Sequence, residues 1–203
     1  MNRKEHWEEV FRTRPSAQAS WFQPAPSLSL DFIESAGLRF DSPIIDVGGG
    51  TSTLVDRLLD LGYQNLGVLD LSATALAEAK IRLGDRSGEV EWFEEDVTTF
   101  ESPHKWAMWH DRALFHFLTD LPGRVAYKQS LLDAVEDEGH AIIATFGPEG
   151  PTTCSGLDVK RYSGADLDAF FGPELRLLEE ASEDHKTPSG ATQQFVYCRF
   201  RRV

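Results

Sequence analysis

The chain has 203 residues, of which 41% are hydrophobic, and this is enough for one sizeable core but too little for two. Its 33 acidic and 20 basic residues give a net charge of −13, which argues against binding to nucleic acid or to an anionic membrane. No stretch approaches the roughly 18 apolar residues of a membrane span, and the N-terminus lacks a signal peptide's apolar core. We therefore expect one soluble, cytoplasmic domain. Cys154 and Cys198 lack zinc-site spacing, so both are expected to be free thiols.

The middle of the chain alternates short apolar strands with amphipathic helices. Gly62 is placed to end the first of these helices, and Ser72 to begin the next. A later helix is predicted from Leu131, Leu132 and Val135. This alternation favours a doubly wound parallel sheet covered by helices on both faces. The predicted strands are 43–47, 65–71, 89–93, 105–110 and 139–146.

The C-terminal part departs from this alternation. Ser163 and Asp166 have the spacing of a capping box at the start of a helix. Two strand-like stretches follow, 174–182 and 192–203, and the segment EDHKTPSGA between them contains the Pro and Gly of a turn. We expect an antiparallel hairpin at the edge of a mostly parallel α/β sheet.

The segment IIDVGGGTST, residues 44–53, joins the first strand to the first of these helices. Ligands of doubly wound sheets bind at the carboxyl ends of the strands, where the strand order reverses. Gly48, Gly49 and Gly50 permit close approach of a ligand to the backbone, and the helix after them presents unpaired N–H groups. A tight turn that binds nothing is the alternative for this loop taken alone.

Acidic residues lie at or just after the ends of the first three strands: Asp46, Asp70 and Asp96. A carboxylate at the end of the second strand can accept hydrogen bonds from both hydroxyls of a ribose. Three acids in this order indicate a ligand that contains adenosine. A nicotinamide dehydrogenase fits less well, because the last glycine of its G-x-G-x-x-G fingerprint would fall on Thr53.

These motifs together resemble the class I, seven-stranded methyltransferases that use S-adenosylmethionine. The resemblance includes a group of small methyltransferase-like proteins with protein-lysine enzymes and orphan members, and it extends from the N-terminal helix to the final hairpin. It implies a Rossmann-like seven-stranded sheet in a single domain. Within it, residues 1–30 would form an N-terminal cap, 40–147 the cofactor-binding core, and 148–203 the acceptor-side loop, helix and hairpin.

The resemblance also implies a cofactor site. The stretch DVGGGTS is similar to the family's first motif, although Ser52 stands where that motif has its last glycine. Asp70 would bind the ribose hydroxyls and Asp96 the adenine amino group, with Val97 packed near the ring. The whole implied set is Asp46, Gly48, Gly49, Gly50, Ser52, Asp70, Leu71, Asp96, Val97, Asp111 and Trp21.

Three segments are candidate lids or flaps. The resemblance implies that Trp21, Phe22 and Gln23 form a lid near the cofactor, and simple packing of an aromatic pair is an equal alternative. Residues 147–162 and 185–191 contain Pro and Gly without clear periodicity. A connection longer than roughly 12 to 15 residues is often a binding loop, so residues 147–162 are a candidate flap on the acceptor side, together with residues 185–191. In the N-terminal helix, Trp7, Val10 and Phe11 have the spacing of core-facing residues.

The chemistry of methyl transfer asks little of side chains, because the sulfonium of the cofactor is already a strong electrophile. As a hypothesis, Asp111 and His110 lie beside the methionine or the acceptor, where either can orient a nucleophile or take its proton. The favoured alternative for His110, and for His116, is a hydrogen-bonded histidine near the core. No cluster of acids for magnesium is visible, and no metal is predicted.

The sequence also narrows the acceptor. The tetrad HDRA stands after the fourth strand where resembling enzymes for planar amide or adenine nitrogens have Asn-Pro-Pro-Tyr. The predicted function is methyl transfer from S-adenosylmethionine to a small-molecule nucleophile by in-line displacement, with S-adenosylhomocysteine as product. A protein-lysine acceptor and a non-catalytic cofactor-binding protein are the alternatives. The identity of the acceptor and the oligomeric state stay open.

Overall fold

The computed structural model describes residues 2–203. The helices are α1 (Arg3–Thr13), α2 (Ser27–Ser35), α3 (Leu54–Leu61), α4 (Ala73–Leu83), α5 (Leu121–Ala134) and α6 (Gly164–Phe171). The strands are β1 (Ile44–Val47), β2 (Leu66–Asp70), β3 (Val90–Glu94), β4 (Trp106–Arg112), β5 (Val135–Phe146), β6 (Thr153–Cys154), β7 (Leu157–Asp158), β8 (Leu175–Lys186) and β9 (Thr192–Arg202). None of the helices within residues 2–203 is long and apolar enough to cross a membrane.

Seven strands form one sheet in the order β3-β2-β1-β4-β5-β9-β8. The first five strands of the chain pair in parallel, and β9 runs antiparallel between β5 and β8. The order reverses between β1 and β4, so the ligand site of a doubly wound sheet is expected at their carboxyl ends. The prediction of a Rossmann-like, mostly parallel seven-stranded sheet with an antiparallel C-terminal hairpin is confirmed.

Helices cover both faces of the sheet. Helices α5 and α6 pack on one face, and α2, α3 and α4 pack on the other. Burying each large apolar side chain contributes about 1.5 to 3 kcal/mol, so both layers stabilise the sheet. Fully buried members of the first layer include Trp109, Phe115, Tyr127 and Phe171, and members of the second include Phe32, Leu54, Leu58 and Leu76.

The predicted helix ends are confirmed. Gly62 ends α3 with a φ of 96°, a left-handed conformation that glycine adopts without steric cost. The Oγ of Ser72 accepts a hydrogen bond from the N–H of Ala75 at the start of α4. Ser163 and Asp166 form both bonds of a capping box at the start of α6.

Two strand boundaries and one connection differ from the prediction. Strand β5 begins at Val135, which the sequence placed in the preceding helix, and β8 continues to Lys186, so the hairpin turn is shorter than predicted. The prediction that residues 147–162 lack structure is wrong, because this segment contains the small β6-β7 hairpin. Ser155 and Gly156 both have positive φ values, 50° and 79°, as a tight two-residue hairpin turn requires.

Candidate functional site

Two cavities adjoin each other at the carboxyl ends of the central strands. The strand-end cavity begins at Asp70 and Asp96, after β2 and β3, and continues to Cys154 on β6. It encloses about 830 Å³, open solvent at its mouth included. The glycine-loop cavity encloses about 550 Å³ and is lined by residues 48–54, Asp46 and neighbouring side chains. The residues that line both cavities are Phe11, Trp21, Gly48 and Arg112.

The glycine loop allows two carboxylates to lie against its backbone. A Cβ atom at position 49 would lie 2.8 Å from Oδ2 of Asp46, and one at position 50 would lie 2.9 Å from Oδ2 of Asp70. Gly50 also has a left-handed φ of 45°. Glycine is therefore required at both Gly49 and Gly50 for the carboxylates to occupy these places.

Asp46 is held by a buried chain of hydrogen bonds. Its Oδ1 lies 2.7 Å from Nδ1 of His110, and Nε2 of the same imidazole lies 2.9 Å from Oγ of Ser29. All three residues are buried and line the glycine-loop cavity. Oδ2 of Asp46 has no hydrogen-bond partner within residues 2–203. Because an unpaired buried carboxylate oxygen is costly, this atom fits an N–H donor supplied by a ligand.

Asp70 lines the strand-end cavity, and the pKa of its carboxyl is raised. Burial raises the pKa of its carboxyl to about 7, and the negative charges of Asp46 and Glu8 add to the effect. The N–H of Ser72 donates a 2.8 Å hydrogen bond to Oδ1 and keeps the carboxyl in place. A ligand hydroxyl that donates to this carboxyl would stabilise its ionised form.

The other predicted cofactor residues also lie at these cavities. Leu71, Asp96 and Val97 line the strand-end cavity. Oδ1 of Asp96 accepts hydrogen bonds from the backbone and hydroxyl of Thr98, which fixes its orientation. Ser52 lines the glycine-loop cavity, and its Oγ accepts a 3.1 Å hydrogen bond from the N–H of Leu54 at the start of α3. A glycine at this position could not make that bond.

Asp111 is not brought to the wall of either cavity. It is fully buried, and its carboxylate accepts hydrogen bonds from the N–H groups of Leu114 and Phe115 and from the hydroxyl of Tyr127, at 2.9, 3.1 and 2.6 Å. Burial raises the pKa of this carboxyl to about 7. A part in proton transfer stays a prediction, and the geometry favours a positioning role for the segment after β4. Side chains alternate between the two faces of a strand, so Asp111 lies on the same face of β4 as Trp109, the face that packs against α5. This alternation can be read from the sequence.

The two candidate histidines are both engaged in hydrogen bonds. Both ring nitrogens of His110 are occupied by Asp46 and Ser29, as described above. Nδ1 of His116 accepts a hydrogen bond from the N–H of Phe146, and burial lowers the pKa of His116 to about 3. His116 is therefore a neutral core histidine at ordinary pH.

The predicted lid residues lie in a strap, residues 20–24, that crosses the two cavities. Side chains from other parts of the chain hold this strap through its backbone carbonyl oxygens. Such anchoring fixes the strap independently of any ligand. The pairs are Ser20 O with His185 Nε2 at 2.8 Å, Trp21 O with Arg112 Nη1 at 2.9 Å, Gln23 O with Thr53 Oγ1 at 3.0 Å, and Pro24 O with Arg57 Nη2 at 3.3 Å.

Helix α1 contributes aromatic rings to the site. Of the three residues with core-facing spacing, only Val10 is buried, whereas Trp7 and Phe11 are half-buried and line the strand-end cavity. Their rings pack with those of Trp21 and Phe117 at centroid distances of 4.9 to 6.1 Å. Helical spacing does not distinguish a core contact from a cavity wall, so the sequence missed this role.

Arg112 is a site residue to which sequence reasoning assigned no role. Its guanidinium donates to the Tyr197 hydroxyl at 2.7 Å and to the Trp21 carbonyl oxygen at 2.9 Å, and it lies 3.4 Å from a carboxylate oxygen of Glu183. Its carbon atom Cζ lies 4.3 Å from the ring centroid of Phe195. These partners are distant along the chain, so no local sequence pattern predicts their contacts with Arg112.

Known proteins were compared with the chain and with its fold. No family model matches the chain. The eEF1A lysine and N-terminal methyltransferase of Mus musculus is 26% identical over 99 residues, which are 49% of this chain and 14% of that protein. The protein of the same name from Danio rerio is 28% identical over 100 residues, 48% of this chain and 14% of the relative. The chain thus spans only 14% of the length of these curated relatives.

Solved structures match over nearly the whole chain. A structure from a study of the conversion of a disulfide bond into a thioacetal group during echinomycin biosynthesis has a TM-score of 0.79 at 21% identity, covering 98% of this chain and 92% of that one. A SAM-dependent methyltransferase from Anabaena variabilis has a TM-score of 0.76 at 16% identity, with coverages of 100% and 96%. The N-methyltransferase NodS from Bradyrhizobium japonicum, with S-adenosylhomocysteine bound, has a TM-score of 0.72 at 14% identity, with coverages of 99% and 99%.

These likenesses define the class of fold. The chain has the fold of the class I, seven-stranded methyltransferases that use S-adenosylmethionine, as the motifs predicted. Within residues 2–203, no three His, Cys, Asp or Glu side chains are grouped in a way that could hold a metal ion.

Proposed function

We propose that the protein transfers the methyl group of S-adenosylmethionine to a small-molecule nucleophile by in-line displacement. The observation that carries this proposal is the pair of carboxyl groups against the glycine loop, Asp46 with its unpaired oxygen and Asp70 at the end of β2. They line adjoining cavities, so one can accept from an ammonium group and the other from a ribose diol of the same ligand.

The residues around these carboxyl groups fit the rest of that cofactor. Asp96, Val97 and Leu71 line the strand-end cavity, which supports a role for Asp96 as acceptor from the adenine amino group and for the two apolar side chains beside the ring. His110 and Ser29 orient Asp46 through their hydrogen bonds. S-adenosylmethionine supplies an activated methyl group on a sulfonium when it is bound, so the protein has to supply position and exclude water.

The aromatic rings of α1 and the strap provide that exclusion of water. Phe11 and Trp21 line both cavities and Trp7 lines the strand-end cavity, while Asp111 fixes the segment after β4, whose Leu114 and Phe117 also line the strand-end cavity. Positioning and exclusion of water are expected to supply most of the rate enhancement, since the sulfonium needs no further activation.

A small-molecule acceptor is favoured over a protein by the solved structures that match most of the chain. These include the N-methyltransferase NodS and an N-methyltransferase from Burkholderia thailandensis with 1,6-didemethyltoxoflavin bound, whose TM-score is 0.70. Protein-lysine methylation is the second candidate, because the curated relatives carry that activity in their name. Their match to half of this chain supports it less strongly.

Calorimetric titration with S-adenosylmethionine and S-adenosylhomocysteine tests the cofactor. We expect micromolar affinity for the wild-type protein and a loss of at least about tenfold in Asp70→Ala and Asp46→Ala, because each loses a charge-assisted hydrogen bond. Asp85→Ala removes an exposed acid after α4 and is the matched control. A folded, ligand-free protein that binds neither compound contradicts the proposal.

Incubation with methyl-labelled cofactor and a cell extract tests the acceptor. Label in the small-molecule fraction supports the proposal, and label in protein supports the lysine candidate. Cofactor binding without any labelled product would support the third reading, a non-catalytic binding protein.

A further inference from the structure

We propose that the acceptor reaches the reaction as an anion, a thiolate or a carboxylate on an apolar body, and that Arg112 binds the anionic group. The inference rests on the proposed function and names the chemical class of its acceptor. The acceptor end of the strand-end cavity is the part beyond Gly48, where the lining residues are Arg112, Ala113, Leu114, Phe117, Phe146 and Cys154.

Charge is divided between the two ends of this cavity. The acids Asp70, Glu95 and Asp96 lie at the end formed by β2 and β3. Arg3 also lines this cavity, from the start of α1. Among residues 2–203, Arg112 is the charged side chain that lines the acceptor end. A cationic acceptor would be repelled there and would lose its hydration, whereas an anion would gain a partner.

The guanidinium of Arg112 is held still but not fully occupied. Three of its five N–H groups donate to Tyr197, Trp21 and Glu183, and the others have no protein partner within residues 2–203. The ring of Phe195 packs against the guanidinium carbon, Cζ. A rigid fork with N–H groups to spare is suited to a carboxylate and also to a thiolate sulfur.

The position of the Arg112 guanidinium in the sheet indicates that it binds an anionic group of the acceptor and not the carboxylate of the cofactor. Its partners Tyr197 and Phe195 lie on β9 and Glu183 lies on β8, beyond β5 in the sheet. The glycine loop and Asp46 lie at β1, three strands away from β9. Arg112 lines both cavities, so the cofactor's own carboxylate is the competing occupant that an experiment has to exclude.

Glu183 balances the charge of Arg112 without blocking it. It lines neither cavity, its second oxygen accepts from Gln23 at 2.8 Å, and its separation from the guanidinium is 3.4 Å. The ion pair is therefore long, and Arg112 keeps part of its capacity to bind a second anion.

The acceptor end also lacks a base for a cationic acceptor. Both oxygens of Asp111 are taken by backbone and Tyr127 donors, and those of Glu183 by Arg112, Gln23 and Tyr197. Within residues 2–203, no free carboxylate lines this end to deprotonate an ammonium group. An anionic nucleophile needs no such base.

The reaction balances without a proton transfer. A lone pair of the anionic sulfur or oxygen forms the bond to the methyl carbon, the bond between that carbon and the sulfonium sulfur breaks, and its electron pair stays on the sulfur. An anion and a sulfonium cation become two neutral groups, and cancellation of charge is favoured in a cavity shielded from water.

The test uses three acceptors that share one apolar ring: thiophenol, benzoate and benzylamine. Each is titrated into the protein saturated with S-adenosylhomocysteine. In a separate experiment each is incubated with S-adenosylmethionine, and the S-adenosylhomocysteine produced is measured. We expect thiophenolate or benzoate to bind and to be methylated, and benzylamine to do neither. Methyl phenyl sulfide or methyl benzoate as product identifies the nucleophile. Preference for benzylamine, or no binding of either anion at millimolar concentration, overturns the inference.

Two variants test Arg112 in opposite directions. Arg112→Gln should weaken binding of the anion at least about tenfold. Glu183→Gln removes the competing charge and should strengthen that binding, so it tests the inference even if Arg112→Gln fails to fold. Asp184→Asn, at the exposed neighbour of Glu183 on β8, is the control and should change nothing.

Cofactor binding in the same samples separates the two proposals. Wild-type protein that fails to bind S-adenosylhomocysteine contradicts the proposed function itself. Arg112→Gln could weaken the binding of S-adenosylhomocysteine but not that of 5′-methylthioadenosine, which has no carboxylate. In that case Arg112 binds the carboxylate of the cofactor, and the inference about the acceptor is wrong.

Discussion

Nδ1 of His110 lies 2.7 Å from Oδ1 of Asp46, and this pair directs the other carboxylate oxygen to a place without a protein partner. We propose that a carboxylate oriented in this way binds the amino-acid part of the proposed cofactor and not its nucleoside. The two parts can be separated experimentally, because 5′-methylthioadenosine carries only the nucleoside part.

We therefore expect His110→Phe to weaken the binding of S-adenosylmethionine by about 10-fold to 100-fold, which corresponds to one charge-assisted hydrogen bond. The affinity for 5′-methylthioadenosine should not change. Titration calorimetry with both ligands gives the comparison. His104→Phe replaces an exposed histidine that pairs with Glu91 and serves as control. Equal weakening of both ligands would show that His110 only supports the fold.

The pKa of Asp70, about 7, predicts that cofactor binding is linked to a proton. Hydroxyl donors favour the ionised carboxyl, so binding should release up to about one proton when the pH lies below that pKa, and none well above it. Affinity should rise as the pH increases through about 7. Calorimetry in two buffers with different ionisation enthalpies measures the release, and Asp70→Asn should abolish it. Release that persists in this variant would point to another group.

The hydrogen bond from Tyr127 to Asp111 should have a pH-dependent effect on stability. A carboxyl whose folded pKa is raised to about 7 binds a proton more tightly in the folded state, so the free energy of unfolding falls as pH rises from its unfolded pKa towards 7. Tyr127→Phe removes a donor to the ionised form and leaves Trp109 Nε1 without an acceptor. It should cost about 1 to 3 kcal/mol in acid and more above neutrality.

Urea unfolding of this variant at acidic and alkaline pH measures the difference. Tyr63→Phe is the matched control, because the Tyr63 hydroxyl makes no hydrogen bond to residues 2–203 that would be lost. A destabilisation by Tyr127→Phe that is the same at both pH values would contradict the assigned role of the bond.

The glycine loop predicts a strong effect of one methyl group. Gly50→Ala would place Cβ 2.9 Å from Oδ2 of Asp70 and would hold alanine at a φ of 45°. We expect cofactor affinity to fall about 100-fold and stability to fall by about 1 to 2 kcal/mol. Gly88→Ala is the control, because a Cβ atom at position 88 would have no neighbour within 4 Å and Gly88 has no positive φ. It should preserve both the cofactor affinity and the stability. Normal affinity of Gly50→Ala would mean that the loop does not approach the ligand.

Helix α1 is attached to the start of α4 by Glu8, whose carboxylate accepts from the N–H of Ala73 at 2.6 Å and from the N–H of Thr74 at 3.3 Å. Glu8→Ala should loosen α1, speed hydrogen exchange of its amides and increase the dissociation rate of S-adenosylhomocysteine, because Trp7 and Phe11 lose their support. Glu9→Ala removes an acid of the same helix that pairs only with Arg12 at the surface. Unchanged exchange of α1 in Glu8→Ala would contradict this attachment.

The sequence was sufficient for the sheet and for most of the predicted residues that line the two cavities. Strands β1 and β2 are continuous apolar runs that end in Asp46 and Asp70, and parallel strands place such ends at one edge. The position of a residue along a strand can therefore be predicted from the sequence. The direction of its side chain follows from the period of two along a strand, which turns Asp111 on β4 towards Tyr127 of α5. A role for Asp111 beside the cofactor or the acceptor stays a prediction.

The remaining site residues depend on contacts between distant segments. Ser29 reaches His110 from α2, and Arg112 finds its partners on the strap and on β8 and β9. Such contacts follow from how layers pack, and no local spacing encodes them. Residues that touch through tertiary packing are the part of this site that required a structure.

Strand β9 is an interior strand of the sheet, although Thr192–Arg202 is the last element of the chain that the structure describes. During translation, β1 to β5 and the glycine loop leave the ribosome first and can pair in order. Until β9 emerges, β5 presents an unpaired edge, which invites association with other chains. The Tyr197 and Glu183 partners of Arg112 are also synthesised last. In the order of biosynthesis, the proposed cofactor side of the site therefore precedes its proposed acceptor side.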